Sequence, residues 1–166
     1  VNIGRRSLIS AAGGLAAGAA AGLAGGVMAA NAAQPRVVTL APDRRFADKV
    51  VVVTGGTSGI GKAAVEAFVR EGASVAFCGR REALGREVQD QIKRAGGKAL
   101  YVRADVREEK DVAAFLERTV STFGGVDIAL NNAGISIEKP LHEFALDEWN
   151  EVVNTNLRGV FLAMKH

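Results

Sequence analysis

Residues Lys49–Ala64 read K-V-V-V-V-T-G-G-T-S-G-I-G-K-A-A, and the rest of the chain can be ordered around them. The four consecutive valines, Val50 to Val53, are too short a run for a helix. β-Branched and uninterrupted, they predict a strand buried on both faces of a parallel sheet. Thr54 ends the run, and Gly55, Gly56, Gly59 and Gly61 follow closely. A helix is expected from about Gly59, with Ile60, Ala63, Ala64, Ala67 and Phe68 on one face. Strand, glycine-rich turn and helix together make a receptacle for phosphate. Glycines let the backbone approach a ligand closely, and the free N–H groups at the positive end of the helix dipole hold negative charge.

The order of residues narrows the ligand. A P-loop needs Gly-Lys followed by Ser or Thr, and here Gly61-Lys62 is followed by Ala63. Gly59-Ile60-Gly61 with Ala64 instead satisfies the dinucleotide pattern G-x-G-x-x-A. With Thr54-Gly55 in front, the turn reads T-G-x-x-x-G-I-G and resembles the short-chain dehydrogenase/reductase family, in its single-domain branch. The resemblance implies that Gly55, Thr57, Ser58, Gly59, Ile60 and Gly61 contact a nicotinamide dinucleotide. The sugar epimerases of the related extended branch space their glycines as G-x-x-G-x-x-G, a pattern that fails here at Lys62.

Composition and charge suit a single folded domain. The chain has 166 residues, 48% apolar and 23% charged, with a net charge of +3. Residues 1–32 contain Arg5 and Arg6 and no acid, so the remainder carries 19 basic against 18 acidic residues. No nucleic-acid partner is expected from so even a balance. Cys78 is the sole cysteine, so no internal disulfide is possible, and it reads as a small buried residue. No metal site is expected.

The N-terminal segment has its own character. Arg5-Arg6 precedes Ser7-Leu8-Ile9, an Ala/Gly-rich run from Ala11 to Ala30 comes next, and Ala30-Asn31-Ala32 supplies a small-x-small cleavage site. The arrangement resembles a twin-arginine export leader over residues 1–32, with Gly4 and Leu8 departing from the usual residues. It implies an exported, periplasmic protein that meets the membrane only through its leader. Gly14, Gly18, Gly22 and Gly26 recur every four residues, which keeps a membrane anchor as an alternative; cytoplasmic retention is the other. Residues 33–48 are expected to be a linker.

Beyond the glycine turn the elements alternate. Gly72 is placed to cap the first helix in the left-handed conformation. Strands are expected at Ser74 to Cys78, Ala99 to Arg103 and Val126 to Leu130. Leu84, Val88 and Ile92 mark a second helix ended by Gly96-Gly97. Val112, Phe115, Leu116, Thr119, Val120 and Phe123 mark a third, stopped by Gly124-Gly125. The fold class is therefore α/β, a Rossmann-type doubly wound parallel sheet over residues 49–166, with four strands and the helix after the fourth. The family resemblance implies the strand order three, two, one, four, and a ligand over the switch between strands one and four.

Further matches fall at strand ends. Asp105-Val106 follows the third strand and, by resemblance, holds the adenine. Asn131-Asn132-Ala133-Gly134 follows the fourth and looks like the family's NNAG motif, so Asn132, Ala133 and Gly134 are expected along the cofactor ribose. At the end of the second strand, where NAD-preferring members carry an acid, stands Gly79, followed by Arg80-Arg81. A guanidinium there can bind the 2′-phosphate, so Arg80 points to NADP(H) over NAD(H). A last helix is expected to open on Asp147 as N-cap. Its apolar stripe would be Trp149, Val152, Val153, Leu157, Val160, Phe161 and Met164, with Asn156 on the same stripe. By resemblance to the N-L-x-G-x-F stretch, Asn156 is the one candidate for a catalytic role, holding a water in a proton relay; otherwise it is a structural amide bonded to backbone.

The family's proton-donating Y-x-x-x-K is not found. Tyr101 is the only tyrosine, with Asp105 four residues on, and Lys165 is preceded at that spacing by Phe161. The expectation is thus the amino-terminal part of an NADP(H)-dependent oxidoreductase that interconverts a small-molecule carbonyl and alcohol, a homo-oligomer when complete and inactive as this stretch alone. The competing expectation is a truncated module that holds a nucleotide without chemistry.

Overall fold

A computed structural model describes residues 44–166. The leader (1–32) and most of the linker lie outside the described residues. Of the span read as linker, residues 44–48 are folded: they turn back onto the end of the first helix, where Phe46 meets Phe68 edge to face at 5.0 Å. Arg45 also binds the Glu71 carboxylate at 3.1 Å.

The elements are β1 (Val50–Thr54), α1 (Gly59–Arg70), β2 (Ser74–Gly79), α2 (Glu82–Arg94), β3 (Lys98–Arg103), α3 (Glu109–Phe123) and β4 (Ile128–Asn131). Next come a 3₁₀ turn (Leu141–Glu143) and α4 (Leu146–Val153), then a π-helical turn (Asn154–Arg158) and α5 (Gly159–Lys165). The sheet is parallel in the order β3-β2-β1-β4. Alternate residues of each strand face opposite ways, and the core divides accordingly. Val51, Val53, Val75 and Phe77 pack with Val65, Val88 and Ile92 of α1 and α2. Val52, Ala76 and Cys78 pack with Ala104, Val106 and Phe115 on the other face. The valine run is buried throughout, as a strand covered on both faces must be.

Three expectations need correction. First, the face of α1 turned to the sheet is Gly61 and Val65, with Phe68 and Val69 half-buried; Ile60, Ala63 and Ala67 are exposed. Apolar periodicity chose the other face because it counted alanines, which helices expose readily, and passed over Gly61, which has no side chain beside Val65 to extend the true stripe. Second, the last helix opens at Leu146, not Asp147. Ala145 takes the N-cap position and the Glu148 carboxylate accepts its N–H at 3.0 Å. Third, much of the apolar stripe assigned to that helix faces away from the core: Trp149, Leu157, Phe161 and Met164 are exposed before, within and after the π turn, Phe161 by 60% and Met164 by 75%. The buried residues are Thr155, Gly159 and Leu162, which follow one another at helical spacing on a different face.

Candidate functional site

The carboxyl ends of the strands surround a cleft of about 430 Å³. Every residue expected to touch the cofactor lines it except Gly59, which sits within the turn. The cleft exists because β1, β2 and β4 are tied at their ends. Thr54 is buried, and its Oγ1 accepts the N–H groups of Asn132 and Ala133, both at 3.0 Å. The Asn132 amide in return donates to the carbonyls of Thr54 (3.1 Å) and Gly55 (3.4 Å). Gly56 N–H reaches Cys78 O at 3.1 Å, tying the turn to β2.

The packing explains two of the glycines. Gly55 has φ +71°, and a β-carbon on it would lie 2.9 Å from Ala133 Cα. A β-carbon on Gly61 would run into the Gly55 carbonyl and would lie 2.5 Å from Asn132 Nδ2. Only bare backbone fits between β1, α1 and the Asn132 side chain. The first-turn amides of α1 have no intrahelical acceptor, and the first to bond back is Lys62 N–H, to Ser58 O at 3.1 Å. These amides border the cleft beside Gly55, Ile60 and Gly61. A backbone cradle that a β-carbon would fill, at the positive end of a twelve-residue helix, fits the pyrophosphate of a dinucleotide.

The lip of the cleft is basic. Arg81 donates from Nη2 to Thr57 Oγ1 (3.3 Å) and to Ser58 Oγ, so it spans from β2 to the glycine turn. Arg80 lies half-exposed with Nη1 4.0 Å from Asp105 Oδ2. Asp105 is gripped by Arg107, which donates from its backbone (3.0 Å), Nε (3.1 Å) and Nη2 (2.7 Å). The Arg107 guanidinium holds the Asp105 carboxyl below the usual carboxylate range, against the upward push of partial burial. Val106 is buried and meets Gly159, where a β-carbon would lie 2.9 Å from it.

Asn156, at the π turn, is exposed and both its amide atoms are engaged by Ile135: Oδ1 accepts the N–H at 2.9 Å and Nδ2 donates to the carbonyl at 2.8 Å. Gly134 is adjacent, and a β-carbon on it would press against Asn156 Oδ1 at 3.3 Å. Asn156 thus fixes the strand exit that lines the cleft. Burial pushes the Cys78 thiol up to about 12, so it is no nucleophile. Tyr101 donates its hydroxyl to Gly79 O at 2.8 Å and receives a ring contact from Phe77, fixing the end of β2.

Arg81, Ile135 and Thr155 also line the cleft and were not assigned from the sequence. For Arg81 the signal was present in Arg80-Arg81, but which guanidinium turns towards the glycine turn is a matter of side-chain direction.

A four-stranded parallel α/β domain with a glycine cradle at its switch point has the architecture of nucleotide-binding domains. A model of the short chain dehydrogenase family matches residues 49–166. The chain belongs to the short-chain dehydrogenase family. Over 119 residues it is 42% identical to a 2,5-dichloro-2,5-cyclohexadiene-1,4-diol dehydrogenase of Sphingobium indicum, covering 71% of this chain and 46% of that protein. Among solved structures it matches a double mutant of a Serratia marcescens short-chain dehydrogenase/reductase at a TM-score of 0.70 and 36% identity, covering 72% of this chain and 49% of that one. A dehydrogenase/reductase from Sinorhizobium meliloti matches at 0.71 and 36%, covering 75% and 50%. The chain therefore spans about half the length of the relatives it matches.

Proposed function

We propose that this chain supplies the nucleotide-binding half of an NADP(H)-dependent oxidoreductase that interconverts a carbonyl and an alcohol. The observation that carries the cofactor choice is the lip of the cleft: two guanidiniums, Arg80 and Arg81, follow β2, and Gly79 stands where an acid would repel a 2′-phosphate. The bound nucleotide supplies the two-electron chemistry. The chain's own residues cradle its pyrophosphate (Gly55 to Gly61), flank its adenine (Asp105, Val106) and line its ribose (Asn132 to Gly134). Asn156 holds Ile135 in place beside them and is the candidate for a proton relay. That the relative from Sphingobium is named for a diol supports the alcohol side of the reaction. We place the protein outside the cytoplasm, reached through the leader at residues 1–32.

For the 166-residue chain by itself, nucleotide binding without turnover is the second reading. Its one tyrosine, Tyr101, is committed to Gly79 O and has no lysine four residues on.

Titration of the chain with NADPH and NADH tests the first reading. NADPH should bind more tightly. Loss of a charge-assisted contact weakens binding about 10- to 100-fold, so Arg80→Ala or Arg81→Ala should weaken NADPH by that factor and leave NADH little changed. Equal losses for both nucleotides would assign these arginines to the fold instead of to the phosphate.

A further inference from the structure

The strands begin at the end of the sheet opposite the cleft, and charge gathers there. Four stretches form this foot: residues 44–49, 70–74, 93–98 and 124–128, each leading into a strand. They hold seven cations and three carboxylates, while the other described residues hold eleven cations against fourteen carboxylates. The domain is thus polarised, with an excess of positive charge at the foot and a deficit elsewhere.

Two of the seven cations are neutralised locally, Arg45 by Glu71 at 3.1 Å and Lys49 by Asp127 at 3.4 Å. The other five, Arg44, Arg70, Lys93, Arg94 and Lys98, are exposed and make no ion pair among the described residues. Arg44, Arg70 and Lys98 line one open recess of about 430 Å³ together with Gly72, Gly96 and Gly97. Asp48 is the only acid on its rim among the described residues.

The chain enters the domain at this same face. Residues Ala11–Ala30 form a run of twenty without a charge, and thirteen residues, 31–43, connect it to Arg44. At no more than about 3.5 Å per residue, that connection spans at most about 45 Å. Wherever the apolar run meets a bilayer, the foot is the part of the domain tethered nearest to it. Exposed cations within a Debye length of an anionic leaflet, about 10 Å, are attracted to it strongly.

We infer that the foot of the sheet is a docking face for an anionic lipid surface, engaged while the N-terminal segment is attached, with the nucleotide cleft turned away from the membrane. The inference rests on reading residues 1–32 as membrane-directed and is independent of the nucleotide. A nucleic acid would meet the same charge, but Phe46, two residues from Arg44, is turned onto Phe68 and is not offered to a base.

The 166-residue chain should be partitioned between buffer and vesicles of neutral phosphatidylcholine or of phosphatidylcholine with phosphatidylglycerol. Binding to the anionic vesicles should be tighter by on the order of tenfold or more at low salt, and the gap should close as salt rises. The triple variant Arg44→Glu, Arg70→Glu, Lys98→Glu should lose the gap, while Arg5→Gln with Arg6→Gln should keep most of it. A gap that survives the triple variant, or that vanishes with Arg5 and Arg6, assigns the preference to the leader and overturns the inference. So does tight binding of single-stranded nucleic acid with no preference between vesicles. Failure of both vesicle types to bind would instead sink the reading of residues 1–32. Acetylation footprinting of the unmutated chain needs no variant to fold. On anionic vesicles Lys93 and Lys98 should be protected relative to Lys110, and equal labelling of all three would overturn the inference.

Discussion

Asn156 clasps Ile135 by both backbone groups, at 2.9 Å to the N–H and 2.8 Å from the carbonyl. The clasp joins the π turn to the segment leaving β4, two pieces of chain that share no sheet or helix ladder. Asn156 is exposed, so its amide is not on a buried face of the helix. Asn156→Ala should cost about 1 kcal/mol, the low end for a pair of bonds open to water. Amide exchange at Ile135 should quicken, with the global unfolding midpoint little moved. Asn156→Asp keeps an acceptor but sets a carboxylate against the Ile135 carbonyl, so it should not restore protection. Unchanged exchange at Ile135 in both variants would show that the clasp does not hold this segment.

The glycine turn separates packing from binding. At Gly61 a β-carbon has no room between Gly55 O and Asn132 Nδ2, whereas at Gly59 it meets nothing within 4 Å, although φ is +54°. Gly61→Ala should therefore destabilise the fold by about 1–3 kcal/mol through overpacking. Gly59→Ala should cost about 1 kcal/mol of backbone strain, yet it should weaken nucleotide binding more than its stability loss accounts for. Urea unfolding and nucleotide titration of the two variants check the contrast. Equal effects on stability would contradict it.

Much of this was legible in the sequence, for identifiable reasons. The valine run and the glycines after it are local signals, and strand order came from the alternation of elements with the family resemblance. The residues assigned to the dinucleotide from motifs, all but Gly59, line one cleft. The features that escaped depended on three dimensions. The face of α1 turned to the sheet pairs Gly61 with Val65, and counting the exposed alanines as apolar chose the wrong face. The last helix turns Thr155, Gly159 and Leu162 inward and much of its apolar stripe outward, a choice of face that apolar counting alone does not make. Arg81 reaches Thr57 and Ser58 by side-chain direction alone, a feature no spacing encodes.

Acid should act through Asp105. Its carboxyl is held below the ordinary range chiefly by the Arg107 side chain. A depressed carboxylate contributes stability above its unfolded pKa, near 4, and that contribution is lost as pH falls through the lower folded value. The wild-type chain should thus be more stable than Asp105→Asn at pH 7, and the gap should shrink progressively below about pH 4. Thermal unfolding of both from pH 7 to pH 2 measures this. A gap independent of pH would mean that Asn serves Arg107 as well as a carboxylate does.

Self-association should run through the last two helices. Among the described residues β4 pairs on one side only, with β1. Beyond it, Trp149, Leu157, Phe161 and Met164 are 51%, 68%, 60% and 75% exposed. Burying a large apolar side chain contributes about 1.5–3 kcal/mol, so several of these covered together would supply the excess that a specific contact needs. A large exposed apolar patch of this kind marks an interaction surface. The purified 166-residue chain should therefore associate with itself at micromolar concentrations. Trp149 emission should shift to the blue as it does so. Leu157→Glu with Phe161→Glu should return it to a monomer without disturbing the sheet, because Leu162 on the inner side of α5 still packs. Sedimentation across a hundredfold range of concentration decides the matter: a monomer at every concentration in the unmutated chain would remove the case for an interface on α4 and α5.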